Sequence, residues 1–161
     1  MGGLDILSSP LVAILWLLTG AAAIWDLATR RIPNPLIVVG LFLGAAVQIQ
    51  LSGALGLGIA LIGATAGLGL MIVQFSLGVV GGGDAKLTMV CGMFLGAKLV
   101  FEITVLATAL HGAIALLTLG AQIALRMLGR AELKAPKLPY AVPVAASVLL
   151  VTSGVLRLFA G

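Results

Sequence analysis

The sequence predicts an all-α fold, a polytopic membrane bundle of about six transmembrane helices. The chain has 161 residues, of which 61% are hydrophobic and only 9% are charged, and its mean hydropathy is +1.27. Soluble domains carry about 25% charged residues, so this composition is typical of an integral membrane protein. A spanning helix needs about 20 mostly apolar residues, which leaves residues 1–161 as one membrane domain without a separate soluble part.

Apolar runs separated by helix-breaking residues define the individual helices. The predicted helices cover residues 10–28, 35–51, 55–80, 85–97, 100–128 and 139–159. Pro33 and Pro35 cannot continue a helix because they lack an N–H, and three consecutive glycines at 81–83 make the next clear break. Four Gly-x-x-x-Gly spacings, which permit close helix contact, begin at Gly40, Gly63, Gly78 and Gly92.

Basic residues concentrate in the connections that follow the first, third and fifth predicted helices. These seven residues are Arg30, Arg31, Lys86, Arg126, Arg130, Lys134 and Lys137, against Lys98 and Arg157 on the other side. Because Lys and Arg favour the cytoplasmic side of a membrane, we expect the seven in the cytoplasm and both termini outside. The net charge of +4 is therefore assigned to orientation and to contact with membrane lipid, and not to nucleic acid.

Cysteine usage and the start of the chain exclude several other interpretations. The single cysteine, Cys91, can build neither a disulfide framework nor a cysteine-based zinc site, and we expect no metal or organic cofactor. The first ten residues contain no Lys or Arg, and the apolar run that follows is long for a signal peptide. We therefore expect this run to be retained as the first helix.

Asp26 and Asp84, two of only five acidic residues, are predicted at the same end of the bundle. Asp26 lies near the end of the first helix and Asp84 directly follows the third, so both are expected near the cytoplasmic boundary. An ionisable side chain in a membrane is costly, which makes each a functional candidate. Repulsion in such a pair keeps one carboxyl group protonated and the other ionised, and the two can then activate water against a peptide carbonyl.

Two sequence motifs carry a resemblance to a known family. GGGDAKL at 81–87 and WDLATRRIPN at 25–34 resemble the aspartate motifs of the type IV prepilin (leader) peptidases, which are GxGD-type membrane aspartic peptidases. The chain is most similar to their short tight-adherence-pilus form, and KLPY at 137–140 is similar to their C-terminal proline-containing motif. The resemblance implies that Asp26 and Asp84 are the catalytic pair.

The same resemblance implies an activity and a location. Family members are endopeptidases that cut the short basic leader from prepilin or pseudopilin-like precursors, usually just after a glycine, at the cytoplasmic face of the bacterial inner membrane. Longer members carry a cytoplasmic insertion with cysteine pairs and also methylate the new N-terminus. This chain has neither the insertion nor the cysteine pairs, so we expect cleavage without methylation. The oligomeric state is left open.

Candidates for substrate contact surround Asp84 and the start of the last helix. These candidates are Gly81, Gly82, Gly83, Lys86, Pro139 and Tyr140. Glycines leave room for an extended peptide to approach Asp84. Structural interpretations compete: Asp84 could cap a helix behind a glycine turn, Asp26 could pair with Arg30, and Lys86 could be only a topology anchor. Pro139 and Tyr140 could simply begin a helix.

The main alternative function is a small proton- or cation-coupled transporter that uses the two aspartates, and a second is a non-enzymatic scaffold of a secretion machine. Transport sites lie near the bilayer midplane, often between repeated halves, and this sequence shows no repeat. Two further polar residues have structural interpretations. We interpret His111 as a neutral interhelical hydrogen-bond partner and Glu102 as an interfacial residue at the outer boundary.

Overall fold

The computed structural model describes residues 10–128 and 139–154. In this part of the chain the fold is all-helical, with α1 (Pro10–Thr29), α2 (Asn34–Ser76), α3 (Gly82–Met127) and α4 (Ala141–Thr152). Three helices, α1, α2 and α3, are long and apolar enough to cross a membrane, and α4 is a shorter apolar helix. The all-α prediction is confirmed, whereas the number of spans stays a prediction. The end of the last predicted helix and the basic residues at 130, 134, 137 and 157 lie outside the described ranges.

Glycine folds α2 back on itself. Gly53 has φ 60° and ψ −139°, a backbone conformation that residues with a side chain rarely adopt. Gly56 consequently packs against the carbonyl group of Gln48, although a straight helix would hold these two residues about 12 Å apart. The break predicted between residues 51 and 55 falls on this glycine.

A second glycine folds α3 in the same way. Gly96 has φ 76° and ψ 177°. Gly67 of α2 contacts both Thr88, before this glycine, and Val100, after it, although a straight helix would hold those two about 18 Å apart. The described chain therefore contains six helical stretches in four helices, and the break expected at residues 98–99 lies slightly earlier, at Gly96.

Close contacts between α2 and α3 occur at glycines, as their spacing predicted. A methyl group added to Gly63 or to Gly92 would overlap the carbonyl oxygen of the other residue. An added methyl group would also meet a neighbouring helix at Gly40, Gly44, Gly67 and Gly96. The prediction for the pair that begins at Gly78 was wrong, because α2 ends at Ser76 and this glycine lies in the turn that follows.

The helices form two groups. α2 packs mainly on α3, while α1 packs mainly on α4, and α1 touches α2 and α3 at few points. The contact between α3 and α4 is therefore the main connection between the groups. α1 and α4 run antiparallel, because Asp26 meets Ala141 at one end of the pair and Trp16 meets Thr152 at the other.

Candidate active site

Asp84 lies in the first turn of α3, directly behind the glycine turn. Its Oδ2 accepts a hydrogen bond of 3.0 Å from the Gly81 N–H, and its own N–H donates to the Gly81 carbonyl at 3.1 Å. This reciprocal arrangement begins α3 at Gly82, one turn before the start predicted at Ala85. The helix-capping interpretation is therefore right in part, since the carboxylate that faces the candidate site also caps the helix.

Asp26 lies in the last turn of α1, opposite the beginning of α4. Its Oδ2 accepts a long hydrogen bond of 3.4 Å from the N–H of Ala141, the first residue of α4. A helix N-terminus carries a partial positive charge, so α4 presents a favourable field to this carboxylate. The two aspartates are thus each held by one backbone N–H, from two different parts of the chain.

Both carboxyl groups line one cavity of about 330 Å³. Asp26 and Asp84 are only 7% and 9% exposed, and they are close enough to interact electrostatically. The other residues that line the cavity are Arg30, Arg31, Ile32, Asn34, Gly81, Gly82, Gly83 and Lys86. The structure therefore brings together the predicted catalytic pair, the three glycines and Lys86.

The two sequence motifs meet at this cavity through two side-chain contacts. Ile32 packs on Gly83 so closely that a Cβ atom added to the glycine would lie 3.3 Å from the Ile32 Cβ. The Lys86 Nζ donates a hydrogen bond of 3.0 Å to the Asn34 Oδ1. The glycine motif thus packs against the Ile-Pro-Asn part of the first motif.

Sequence reasoning missed part of the cavity wall. The sequence predicts a role of Arg30 and Arg31 in membrane orientation, yet both line the cavity. Arg30 has a φ of 55°, uncommon for a residue other than glycine, and turns the chain out of α1 beside Asp26. The available signal was the short distance of these arginines from Asp26 along the chain.

Tyr140 is buried beside the cavity and is only 3% exposed. Its hydroxyl lies 3.0 Å from the Thr108 Oγ1 of α3, and it interacts electrostatically with Asp84. His111 packs its ring against Tyr140, with ring centroids 5.1 Å apart, and its Nδ1 has no hydrogen-bond partner in the described part of the chain. Neither Tyr140 nor Pro139, which the structure also describes, is among the residues that line the cavity.

Glu102, which is predicted near the outer membrane boundary, is buried inside the bundle. It is 2% exposed, and its Oε2 has no hydrogen-bond partner among the described residues. This turn of α3 packs inside the bundle, together with Ile103 and Thr104, while the depth of Glu102 in the membrane stays a prediction. Within residues 10–128 and 139–154, no group of three His, Cys, Asp or Glu side chains could hold a metal ion.

Fold and site together define a helical membrane protein with two carboxyl groups, from two different helices, around one cavity. Comparison with protein families shows which family this chain belongs to. A model described as the type IV leader peptidase family matches residues 11–117, and the chain belongs to this family. The match includes both aspartates and ends before Tyr140. No curated protein and no solved structure matches the chain.

Proposed function

We propose that this protein is an aspartic endopeptidase that removes the short basic leader of prepilin-like precursors at the cytoplasmic face of the bacterial inner membrane, without methylating the product. The observation that carries the proposal is that Asp26 of α1 and Asp84 of α3 line the same cavity. Membership of the leader peptidase family supports the peptidase class. The presence of a single cysteine supports the absence of the methylating insertion.

Two neighbouring carboxyl groups are suited to hydrolyse a peptide bond. The ionised group takes a proton from water while the water oxygen bonds to the carbonyl carbon of the substrate. The protonated group donates its proton to the carbonyl oxygen, so that no negative charge accumulates there. The C–N bond then breaks as the amine nitrogen takes a proton from one carboxyl group, while a hydroxyl group of the tetrahedral intermediate returns its proton to the other, so that the pair again holds one proton. The near-burial of Asp26 and Asp84 limits their contact with bulk water, which strengthens these interactions, and the cavity that they line leaves room for the attacking water molecule.

The glycine turn gives an extended peptide access to the pair. Gly81, Gly82 and Gly83 line the cavity without side chains, so the substrate backbone can approach Asp84 and form hydrogen bonds with the turn. Lys86 is held by Asn34 at the cavity wall and can donate a hydrogen bond to a substrate carbonyl.

The charges of the cavity favour a particular placement of the leader. Arg30, Arg31 and Lys86 stand against the two carboxyl groups in the cavity wall. A basic leader is repelled by these cations, so its own charges remain outside the cavity while the scissile bond enters. The exposed arginines are then available for anionic lipid at the membrane surface.

The test is to co-express the protein with a pilin-like precursor and to read the N-terminus of the precursor by mass spectrometry. We expect cleavage after the leader glycine with the wild type and none with Asp26→Asn or Asp84→Asn. Glu102→Gln, which removes a carboxylate outside the cavity, serves as the control and should cleave. Mass spectrometry also reports whether the new N-terminus carries a methyl group.

Near-normal cleavage by either aspartate variant would contradict the dyad. An intact precursor with all variants, combined with a proton flux in liposomes that requires both aspartates, would favour the transporter instead. Folding of each variant in the membrane is checked by its thermal unfolding in detergent.

A further inference from the structure

The two candidate catalytic residues belong to different helix groups. Asp84 lies on α3, which packs mainly on α2, and Asp26 lies on α1, which packs mainly on α4. The Ile32–Gly83 and Asn34–Lys86 contacts join the connection after α1 to α3, but α1 itself touches α3 at few points, so the separation of the two carboxyl groups also depends on how α4 sits on α3. A contact that fixes α4 on α3 therefore also fixes the geometry of the pair.

A chain of hydrogen bonds crosses between the groups next to the site. Tyr140, which directly precedes α4, places its hydroxyl 3.0 Å from the Thr108 Oγ1 of α3. The Gln74 Nε2 of α2 donates to the same Thr108 oxygen at 3.1 Å. The next residue after Tyr140 is Ala141, whose N–H donates to Asp26. The chain thus links α2, α3 and the beginning of α4 to one of the two aspartates.

The donors and acceptors in this chain determine where the Tyr140 proton goes. Thr108 has one hydroxyl proton, and its shortest contact, 2.7 Å, is to the Thr104 carbonyl, which can only accept. The lone pairs of the Thr108 oxygen then accept from the Gln74 amide and from the Tyr140 hydroxyl. In this arrangement the Tyr140 hydroxyl donates to Thr108, and the longer contact of Thr108 with the Gln74 Oε1, at 3.3 Å, is not used as a donor bond.

We propose that Tyr140 is a positioning residue of the peptidase: its hydrogen bond to Thr108 fixes the start of α4, keeps the Ala141 N–H on Asp26 and so sets the separation of Asp26 and Asp84. This inference rests on the proposed function and assigns a role outside the matched range 11–117. Tyr140 is buried and absent from the cavity lining, so it acts without touching the substrate.

The kinetic test uses purified protein and a precursor peptide that contains the cleavage site. Tyr140→Phe and Thr108→Val should each lower kcat by about 10- to 100-fold with little change in KM, because small displacements of catalytic groups are costly. The double variant should be no worse than the single variants, since both remove one interaction. Trp16→Phe removes the 2.9 Å hydrogen bond to Thr152 at the opposite end of α1 and α4 and should retain wild-type kcat.

A distance measurement tests the same inference without relying on cleavage. Spin labels on cysteines at the exposed positions Trp25 of α1 and Val79 before α3, in a Cys91→Ala background, report the separation of the two groups. Tyr140→Phe should shift or broaden the distance distribution, whereas Trp16→Phe should leave it unchanged.

The outcomes separate this inference from the proposed function. Wild-type kcat in Tyr140→Phe, additive losses in the double variant, a changed KM with unchanged kcat, or an unaltered distance distribution would each overturn the positioning role. Failure of the wild type to cleave any precursor contradicts the peptidase proposal, and the distance distribution still decides whether Tyr140 holds the two groups together.

Discussion

Gly63 of α2 and Gly92 of α3 meet backbone to backbone. Small residues allow helices in a membrane to approach closely, where van der Waals contacts provide the attraction that the hydrophobic effect cannot supply between apolar surfaces in lipid. The stretch of α3 that carries Asp84 at its beginning is held on α2 by this contact. The position of one candidate catalytic residue therefore depends on two glycines far from the cavity.

Gly92→Ala is expected to destabilise the fold by about 1–3 kcal/mol, because the methyl group would overlap the Gly63 carbonyl. Gly112→Ala is the matched control on the same helix, since an added methyl group there meets nothing within 4 Å. Alanine also favours a helix over glycine, so this control should keep or raise stability. Thermal unfolding of the purified variants in detergent measures both effects, and equal midpoints would show that the contact is not needed.

Asp84→Glu is expected to lower kcat by about 100-fold, because the longer side chain displaces the carboxyl group by ~1 Å. It keeps the charge but disturbs the hydrogen bond from Gly81, whereas Asp84→Asn keeps an acceptor for that N–H and loses the charge. Both variants should fold and both should fail in the precursor assay. Substantial activity in the glutamate variant would indicate that the cavity does not fix the position of this group.

Lys86→Met is expected to raise KM about tenfold with little change in stability, if the ammonium group donates to a substrate carbonyl as proposed. Methionine keeps a long apolar stem, so the change removes mainly the charge and the hydrogen bond to Asn34. Lys98→Met, an exposed lysine outside the cavity, is the control. The same KM in both variants would reduce Lys86 to a topology anchor.

Glu102→Gln is expected to raise the unfolding temperature by about 2–4 °C, which corresponds to ~1 kcal/mol for a chain of this length. The Oε2 of this buried side chain has no partner among the described residues, and a neutral amide is less costly to bury than a carboxylate. Cleavage should be unchanged, because Glu102 does not line the cavity. A clear loss of stability would mean that the carboxylate has a stabilising partner.

Much of the candidate site could be predicted from the sequence, because its parts are local. Each aspartate stands in a motif with its own turn residues, whereas the contacts of Ile32 with Gly83 and of Asn34 with Lys86 join two motifs that are distant along the chain and appear only in the structure. The all-α class of the fold follows from the apolar composition. Most helix breaks follow from proline and glycine, which act on their immediate neighbours.

What could not be predicted depends on how distant stretches are aligned. Tyr140 reaches Thr108, and Thr108 in turn reaches Gln74, only because α3 folds at Gly96 and returns along α2. The burial of Glu102 likewise depends on which side of α3 faces the neighbouring helices. The sequence does not indicate that side, because the residues before and after Glu102 are mostly apolar all around the helix. The spacing of residues within one helix does not determine how that helix is aligned with its neighbours.

The folds at Gly53 and Gly96 also decide how the chain can be inserted during synthesis. As a straight rod, the 43 residues of α2 would measure about 65 Å, twice the hydrocarbon thickness of a bilayer. A single glycine in place of a polar connection lets the two helical stretches of α2 enter the membrane as one hairpin. Their backbone N–H and C=O groups are then already hydrogen-bonded within each stretch. In the predicted topology the polar side chains at the outer ends of these stretches are few, chiefly Gln48, Gln50 and Ser52 in α2 and Lys98 and Glu102 in α3. In the predicted six-span topology, the chain would therefore enter the membrane as two hairpins flanked by two single helices.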